Sequence, residues 1–335
     1  MAQLLDSNVT GSLIVSTNTT TGNISVTSNV ATGNITLNDF LYISNEPITS
    51  FPATANTLNV SQVFAQAIAG RMMPSAASFG SRVPFAFQPF LGRNRVGLWL
   101  PPGNATTVPL ALGIAAPTAN GTATARTVAT TNALTRTRRL GYVSAAAVAT
   151  QAAGYRQAAN QFTMGTGTGQ GGFFYVHRFA VSDATLPAAA TATMFVGLNA
   201  KAALPANGAA NTVSCVGVGQ LAGSNNFFFC YGGSAAQPAI NLGTPFFANN
   251  NSEFYELAMY APSTFANTAN TIIYYRFEKV DGTGANVAVG SVEGPATVLP
   301  ANTVLIGLDN FRSAGTQALA TGVDLISLYI DSDYA

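Results

Sequence analysis

Apolar and polar residues alternate along the C-terminal half of the chain in short runs broken by Gly, Asn and Pro. The clearest run is 272–279. In an extended backbone, Ile273, Tyr275 and Phe277 point to one side there, and Tyr274, Arg276 and Glu278 to the other. Similar runs occupy 173–179, 193–198, 213–218, 227–231, 254–260, 304–308 and 323–330. Short strands of this kind over about 200 residues predict a mainly β fold, with a C-terminal two-sheet β-sandwich of jelly-roll type at 136–335.

The N-terminal region is patterned differently. Thr21-Gly22-Asn23-Ile24-Ser25-Val26 returns as Thr32-Gly33-Asn34-Ile35-Thr36-Leu37, with a looser copy at Thr10-Gly11-Ser12-Leu13-Ile14-Val15. Each unit reads as a short strand preceded by a Gly turn, with apolar residues at alternate positions. A unit this small cannot bury its apolar edge alone. It could stack as a one-chain β-helix, lie as a meander on a neighbouring domain, or wrap with two identical chains about a threefold axis. The last is favoured, because symmetric closure supplies the missing core. Residues 1–57 are therefore expected to be a β-repeat shaft that attaches to larger structures.

Between these regions the pattern predicts smaller pieces. Val60, Phe64 and Ala67 would share one helical face, with Ser61 as N-cap and Gly70 and Pro74 at the end, so 58–73 is expected as a short helical connector. Proline-rich 74–118 is expected as a small β module or collar, and Ala/Thr/Asn-rich 119–135 as a linker. Ala-rich 145–159 is a further helical candidate weakened by Gly154. Trp99, between Leu98 and Leu100, is read as a packing residue rather than a sugar platform.

Composition narrows the class. Of 335 residues, 48% are hydrophobic and only 8% charged, against about 25% charged in ordinary globular proteins. Asn, Thr, Ser and Gln carry the polarity, as in extracellular and virion proteins. Low charge leaves little repulsion between apolar surfaces and suits an assembly. Met1–Asp6 has no basic n-region or apolar run, so no secretory signal is expected, nor any membrane insertion. The Asn-X-Ser/Thr triplets at Asn8, Asn18, Asn23, Asn34, Asn59, Asn104, Asn120 and Asn250 are read as by-products of composition. Cys215 and Cys230 fall in neighbouring strands, where a hairpin could place them opposite each other; two buried thiols are expected.

Charge is divided along the chain. Residues 1–46 hold three acids and no base, 47–182 hold ten arginines and no acid, and 183–335 hold ten acids and four bases. The arginines could meet phosphate, or they could pair with the acidic C-terminal part. Their scatter favours pairing, since a nucleic-acid groove would cluster them among exposed aromatics; no nucleic-acid partner is expected.

Candidate chemistry is sparse. Gly167-Thr168-Gly169-Gln170-Gly171-Gly172 fits G-x-G-x-x-G, but it runs into a strand where a dinucleotide site needs a helix. His177 is the single histidine and has no Cys or His cluster around it. Glu253 and Glu256 face opposite sides of a strand, and Asp331 and Asp333 share a face at the chain end, where solvated carboxylates are common. No catalytic, metal or cofactor residue is predicted. The loops at 223–226 and 248–252 are rich in Asn and flanked by Phe227 and Phe247. Amides and aromatic faces suit sugar hydroxyls and ring faces, so Asn225, Asn226, Asn249, Asn250 and Asn251 are the candidate glycan contacts.

Several segments carry a family resemblance: Arg138-Arg139-Leu140-Gly141-Tyr142-Val143-Ser144, Gly171-Gly172-Phe173-Phe174, Met194-Phe195-Val196-Gly197-Leu198, Tyr231-Gly232-Gly233 and Leu325-Ile326-Ser327-Leu328-Tyr329-Ile330. With the N-terminal units, they resemble bacteriophage tail fibres and receptor-binding virion proteins that carry a concanavalin-like sandwich. The resemblance covers the chain from about Arg136 onward. It implies a virion-located homotrimer, attached through its N-terminal region to other virion proteins and contacting host cell-surface polysaccharide without cleaving it. A structural head fibre, decoration or cement protein is the alternative, and a polysaccharide depolymerase a more distant one.

Overall fold

The computed structural model describes residues 45–46, 61–78, 85–86, 96–101, 106, 117–144, 149, 151–157, 159–200, 213–280 and 286–334. The repeat at 9–43 lies outside them. Two antiparallel sheets form a sandwich. One has eight strands, ordered β17 (Val287–Gly294), β16 (Thr271–Lys279), β15 (Phe254–Ala261), β10 (Gly171–Val181), β19 (Gly322–Tyr334), β8 (Leu140–Val143) and β7 (Thr122–Ala125), with β5 (Val96–Trp99) also pairing with β19. The other has seven: β14 (Ile240–Asn241), β13 (Phe227–Gly232), β12 (Cys215–Gln220), β11 (Thr193–Asn199), β18 (Gly307–Ser313), β9 (Ala152–Arg156) and β6 (Thr118–Asn120). A further four-stranded sheet contains β1 (Asn45–Glu46), β2 (Ser61–Ile68), β3 (Arg71–Ser78) and β4 (Phe85–Ala86). The only described helix is the single turn α1, Ala133–Arg136.

Alternation decides which side chains meet between the sheets. Phe173, Tyr175 and Phe179 of β10 and Ile273, Tyr275 and Phe277 of β16 face Met194, Val196 and Leu198 of β11 and Phe227 and Phe229 of β13 in one continuous core. The split read in 272–279 is the observed one. Aromatic rings dominate: Tyr255 and Phe277 stack at 5.4 Å, and Phe229 and Tyr275 at 3.9 Å. Each such buried side chain contributes about 1.5–3 kcal/mol of apolar transfer free energy. Trp99 is fully buried in this core, as its packing role required.

Three segments fold differently from their local pattern. Residues 61–68 and 71–78, expected within or beside a helix, are paired antiparallel strands. Ala69 and Gly70 between them both take positive φ, 47° and 76°, the signature of a two-residue primed turn. The spacing of Val60, Phe64 and Ala67 is compatible with a helix, but cross-strand pairing prevails. Residues 152–156, in the second expected helix, form β9 between β18 and β6. The expected linker carries β6, β7 and α1, whose Leu134 packs under Ala180, Phe254 and Ile326. The collar's aromatic strand is β5, an integral strand of the sandwich through Leu328↔Trp99.

Several arginines of the middle region pair with acids of the C-terminal part. Arg71 meets Asp331 (3.2 Å), Arg126 and Arg139 share Asp324 (3.2 and 2.8 Å), and Arg178 meets Glu256 (2.6 Å). Asp331 is thus fully buried rather than solvated. It also accepts from the Tyr329 hydroxyl at 2.6 Å, while the Arg71 guanidinium lies over the Phe174 ring at 5.0 Å. The tip of the β2–β3 hairpin is thereby seated on the outer face of the eight-stranded sheet. Gly141 makes room for the Asp324 junction, because a Cβ there would lie 2.6 Å from both Arg126 Nε and Asp324 Oδ1 and would displace them.

Cys215 and Cys230 are buried thiols, as expected, but they are not opposite each other. The register sets Cys215 against Gly232 and Cys230 against Gly217. Burial pushes the Cys230 thiol up to about 12.

Candidate functional site

Two polar arrangements lie inside the sandwich. His177 is fully buried, with the Tyr155 hydroxyl 2.7 Å from Nε2 and the Tyr175 hydroxyl 2.9 Å from Nδ1. A neutral imidazole has one donor and one acceptor, so one tyrosine donates and the other accepts. Burial lowers the His177 pKa to about 3 and raises those of both tyrosines. This chain ties β9 to β10 across the two sheets; it has no access to solvent.

The second arrangement centres on Arg312, fully buried on β18. Its Nε donates to Asp183 (2.5 Å), Nη1 to Gln220 Oε1 (2.7 Å) and Nη2 to Asn249 Oδ1 (2.9 Å). Asp183 also accepts from the Gly322 N–H at 3.0 Å. Burial pushes its carboxyl up, and Arg312 and Gly322 oppose that. Above this cluster, loops converge at one end of the sandwich. Asn249 Nδ2 donates to the Pro187 carbonyl (2.9 Å), and Asn251 Nδ2 to the Asp183 carbonyl (3.1 Å). Asn250 Nδ2 donates to Glu253 (2.8 Å), while its Oδ1 accepts from the backbone and hydroxyl of Ser252.

The two Asn-rich loops, separate in sequence, are neighbours here. The Asn225 carbonyl accepts from Ala248 N (2.7 Å) and Asn249 N (3.4 Å), and Asn226 forms a β-bridge with Phe247. Alternation at this bridge turns Phe246 into the core, 5.3 Å from the Phe277 ring, and leaves Phe247 outside, 42% exposed. The Tyr255 hydroxyl donates to the Phe247 carbonyl at 2.7 Å and fixes the backbone. Phe227, the other aromatic flanking these loops, is a core residue and offers no face to a sugar.

The five predicted contacts therefore divide. Asn249, Asn250 and Asn251 spend amide groups on partners within the chain, and Asn251 stays exposed. Asn225 is exposed, and Asn226 makes one long amide contact, 3.5 Å to Asn241 Oδ1. Asn241 belongs with this group and was missed from sequence; its signal was the Asn-Leu-Gly turn, in which Asn241 Oδ1 accepts from Gly243 N at 2.9 Å. Asn225, Asn226, Asn241 and Phe247 leave an aromatic face and amides not committed to the interior on the surface of this end.

Other candidates are occupied. In the glycine-rich loop, the Thr166 hydroxyl accepts from Thr168 N and Gln170 N, both at 3.3 Å, so these two backbone donors are already paired. Glu256 and Glu278 lie directly opposite each other on β15 and β16, but Arg276 bonds both, at 3.3 and 2.5 Å. Among the described residues no group of three His, Cys, Asp or Glu side chains could hold a metal ion. No described helix is long and apolar enough to cross a membrane.

No protein-family model matches the chain, and no curated protein sequence matches it. Among solved structures, the chain is similar to lectin II from Ulex europaeus, at 12% identity over 72% of this chain and 99% of that one (TM-score 0.40). It is also similar to the Lotus tetragonolobus seed lectin, at 14% identity over 58% and 87% (TM-score 0.37). A third is the carbohydrate esterase of Shiga toxin-encoding bacteriophage phi24B, at 17% identity over 64% and 89% (TM-score 0.35).

Proposed function

We propose that the protein is a non-catalytic virion fibre of a bacteriophage, homotrimeric through its N-terminal repeat, which attaches to host cells by binding a surface glycan at the loop end of its sandwich. The observation that carries the binding site is the junction of loops 221–226 and 247–252. It places an outward aromatic ring beside open amides on a backbone held from below by Tyr255 and Arg312. Sugars are recognised by such groups, since ring C–H faces lie on aromatics and hydroxyls pair with amides that both donate and accept.

The trimer reading rests on the eleven-residue repeat, whose single apolar edge needs further copies. The non-catalytic reading is supported by the neutralisation of the facing Glu256 and Glu278 by Arg276. The test is adsorption of the purified protein to bacterial envelope polysaccharide, displayed on an array, alongside a digestion assay. Retention without released oligosaccharide supports the proposal, and failure to bind any envelope glycan sinks it in favour of a structural virion role. Light scattering that returns a monomer mass removes the trimer.

A further inference from the structure

The loop end has a property that bears on which glycan it takes. Segments 184–192, 221–226, 242–252 and 314–321 contain no charged side chain. These segments are joined to one another. Gly223 N donates to the Ala189 carbonyl (2.8 Å), Asn249 reaches Pro187, and Ala188 N donates to Gln317 (3.2 Å). The charges beneath are already used. Asp183 and Arg312 are both fully buried and bonded to each other, and Glu253 meets Lys279 at 3.1 Å as well as Asn250 and Tyr255.

We propose that this end binds a neutral saccharide without a metal ion, its ring against Phe247 and its hydroxyls on Asn225, Asn226 and Asn241. The proposal rests on the glycan-binding reading above and narrows its ligand. An acidic or sulfated sugar calls for an Arg or Lys fork to neutralise it, and the four segments have none. A bridging calcium ion needs several oxygen ligands, usually including carboxylates. Asp183 and Glu253, the acidic residues bonded to these loops among the described residues, have their carboxylates held by Arg312 and Lys279. What the surface offers is one aromatic face and amides, the donor and acceptor set of a sugar hydroxyl. Contacts between uncharged groups are not screened by salt, so affinity is nearly independent of ionic strength.

The test uses the full chain on an array of neutral hexose and N-acetylhexosamine oligomers beside uronate-, sialic acid- and sulfate-bearing ones. Binding is read in calcium and in EDTA, and at low and high sodium chloride. Retention of neutral oligomers alone, changed less than about twofold by EDTA or salt and weakened about tenfold or more by Phe247→Ala, is the expected result. Asn226→Ala serves as a second variant and weakens the same oligomers. Preference for acidic glycans, or loss of binding in EDTA, overturns the neutral, metal-free ligand while leaving glycan binding intact. Neutral binding indifferent to both variants overturns the site. No retained glycan of either kind overturns the glycan-binding reading itself.

Discussion

Two asparagine loops lie side by side at the end of the sandwich and are used in opposite ways. In 248–252 the amides are committed to partners within the chain. Asn249 accepts from Arg312 and donates to Pro187, and Asn251 donates to Asp183. In 221–226 the backbone of Asn225 holds its neighbour, and the side chains are left outside. Residue type does not separate the two loops; what lies beneath them does. A buried guanidinium presents five donors that must all be met, and the loop above it supplies acceptors. The loop beyond its reach keeps its amides for solvent or ligand. One loop is thereby a fastening and the other a presentation surface.

The comparison breaks most sharply at Arg312. Arg312→Ala leaves the buried Asp183 and Gln220 and the partly buried Asn249 without their shared partner. The expected loss is about 3–5 kcal/mol of folding stability, read by urea denaturation. A loss below about 1 kcal/mol would show that loop 248–252 is held by something else. Replacing Arg312 and Asp183 together with apolar residues of similar volume is expected to cost less than Arg312→Ala alone, because no unpaired charge remains.

His177 tests whether locked polar groups elsewhere in the core behave alike. His177→Phe leaves two buried tyrosine hydroxyls without their shared ring. At neutral pH this is expected to cost about 2–4 kcal/mol. The pH dependence then distinguishes a neutral histidine from a charged one. Its folded pKa is about 3 and its unfolded value 6.5, so between these the unfolded chain binds a proton that the folded protein refuses. Stability conferred by His177 is complete above pH 6.5 and declines by about 1.4 kcal/mol per pH unit as pH falls through that window. The gap between wild type and His177→Phe therefore narrows on acidification. A constant gap between pH 7 and pH 4 would mean that the ring is already charged or reaches solvent.

A smaller effect is expected within the locked loop itself. Asn249→Ala removes one acceptor from Arg312 and one donor from Pro187, yet leaves the Arg312–Asp183 pair in place. The expected cost is about 1–2 kcal/mol by the same denaturation measurement.

Much of the sandwich was legible because its strands are locally self-consistent. Alternation along residues 272–279 marks Ile273, Tyr275 and Phe277 as the core face of β16, whereas the burial of Arg276 on the other face depends on Glu256 and Glu278. The elements that were not legible depend on distant partners. β5 pairs with β19 across most of the chain, and nothing near Val96 announces Leu328 as the neighbour of Trp99. Ala69-Gly70 is a weak turn signal beside Asn-Gly, so the β2–β3 hairpin carries a helix-compatible pattern, and its turn is defined by two positive φ angles that the sequence does not announce. The division of charge was visible as a ledger of arginines against acids, but that Arg126 and Arg139 share Asp324 depends on how β8 and β19 pair. The candidate site was half legible for the same reason. Asn-rich loops stand out in any reading, whereas the location of Arg312 under one of them is a property of the fold.

The finest prediction concerns the open loop. Asn225→Ala, Asn226→Ala and Asn241→Ala are each expected to leave folding stability within about 0.5 kcal/mol of wild type, because none of these amides supports a buried group. The weakest point is Asn241, whose Oδ1 also closes the turn at Gly243 over 2.9 Å. Of the three, it is expected to come closest to that limit. Denaturation of the three variants beside Asn249→Ala orders them directly. If Asn225→Ala or Asn226→Ala costs as much as Asn249→Ala, the open loop is a fastening too, and its amides are no longer available to meet a sugar. If both are silent in stability while Asn249→Ala is not, the division of labour between the two loops stands. Any loss of glycan retention in Asn226→Ala can then be assigned to contact rather than to unfolding.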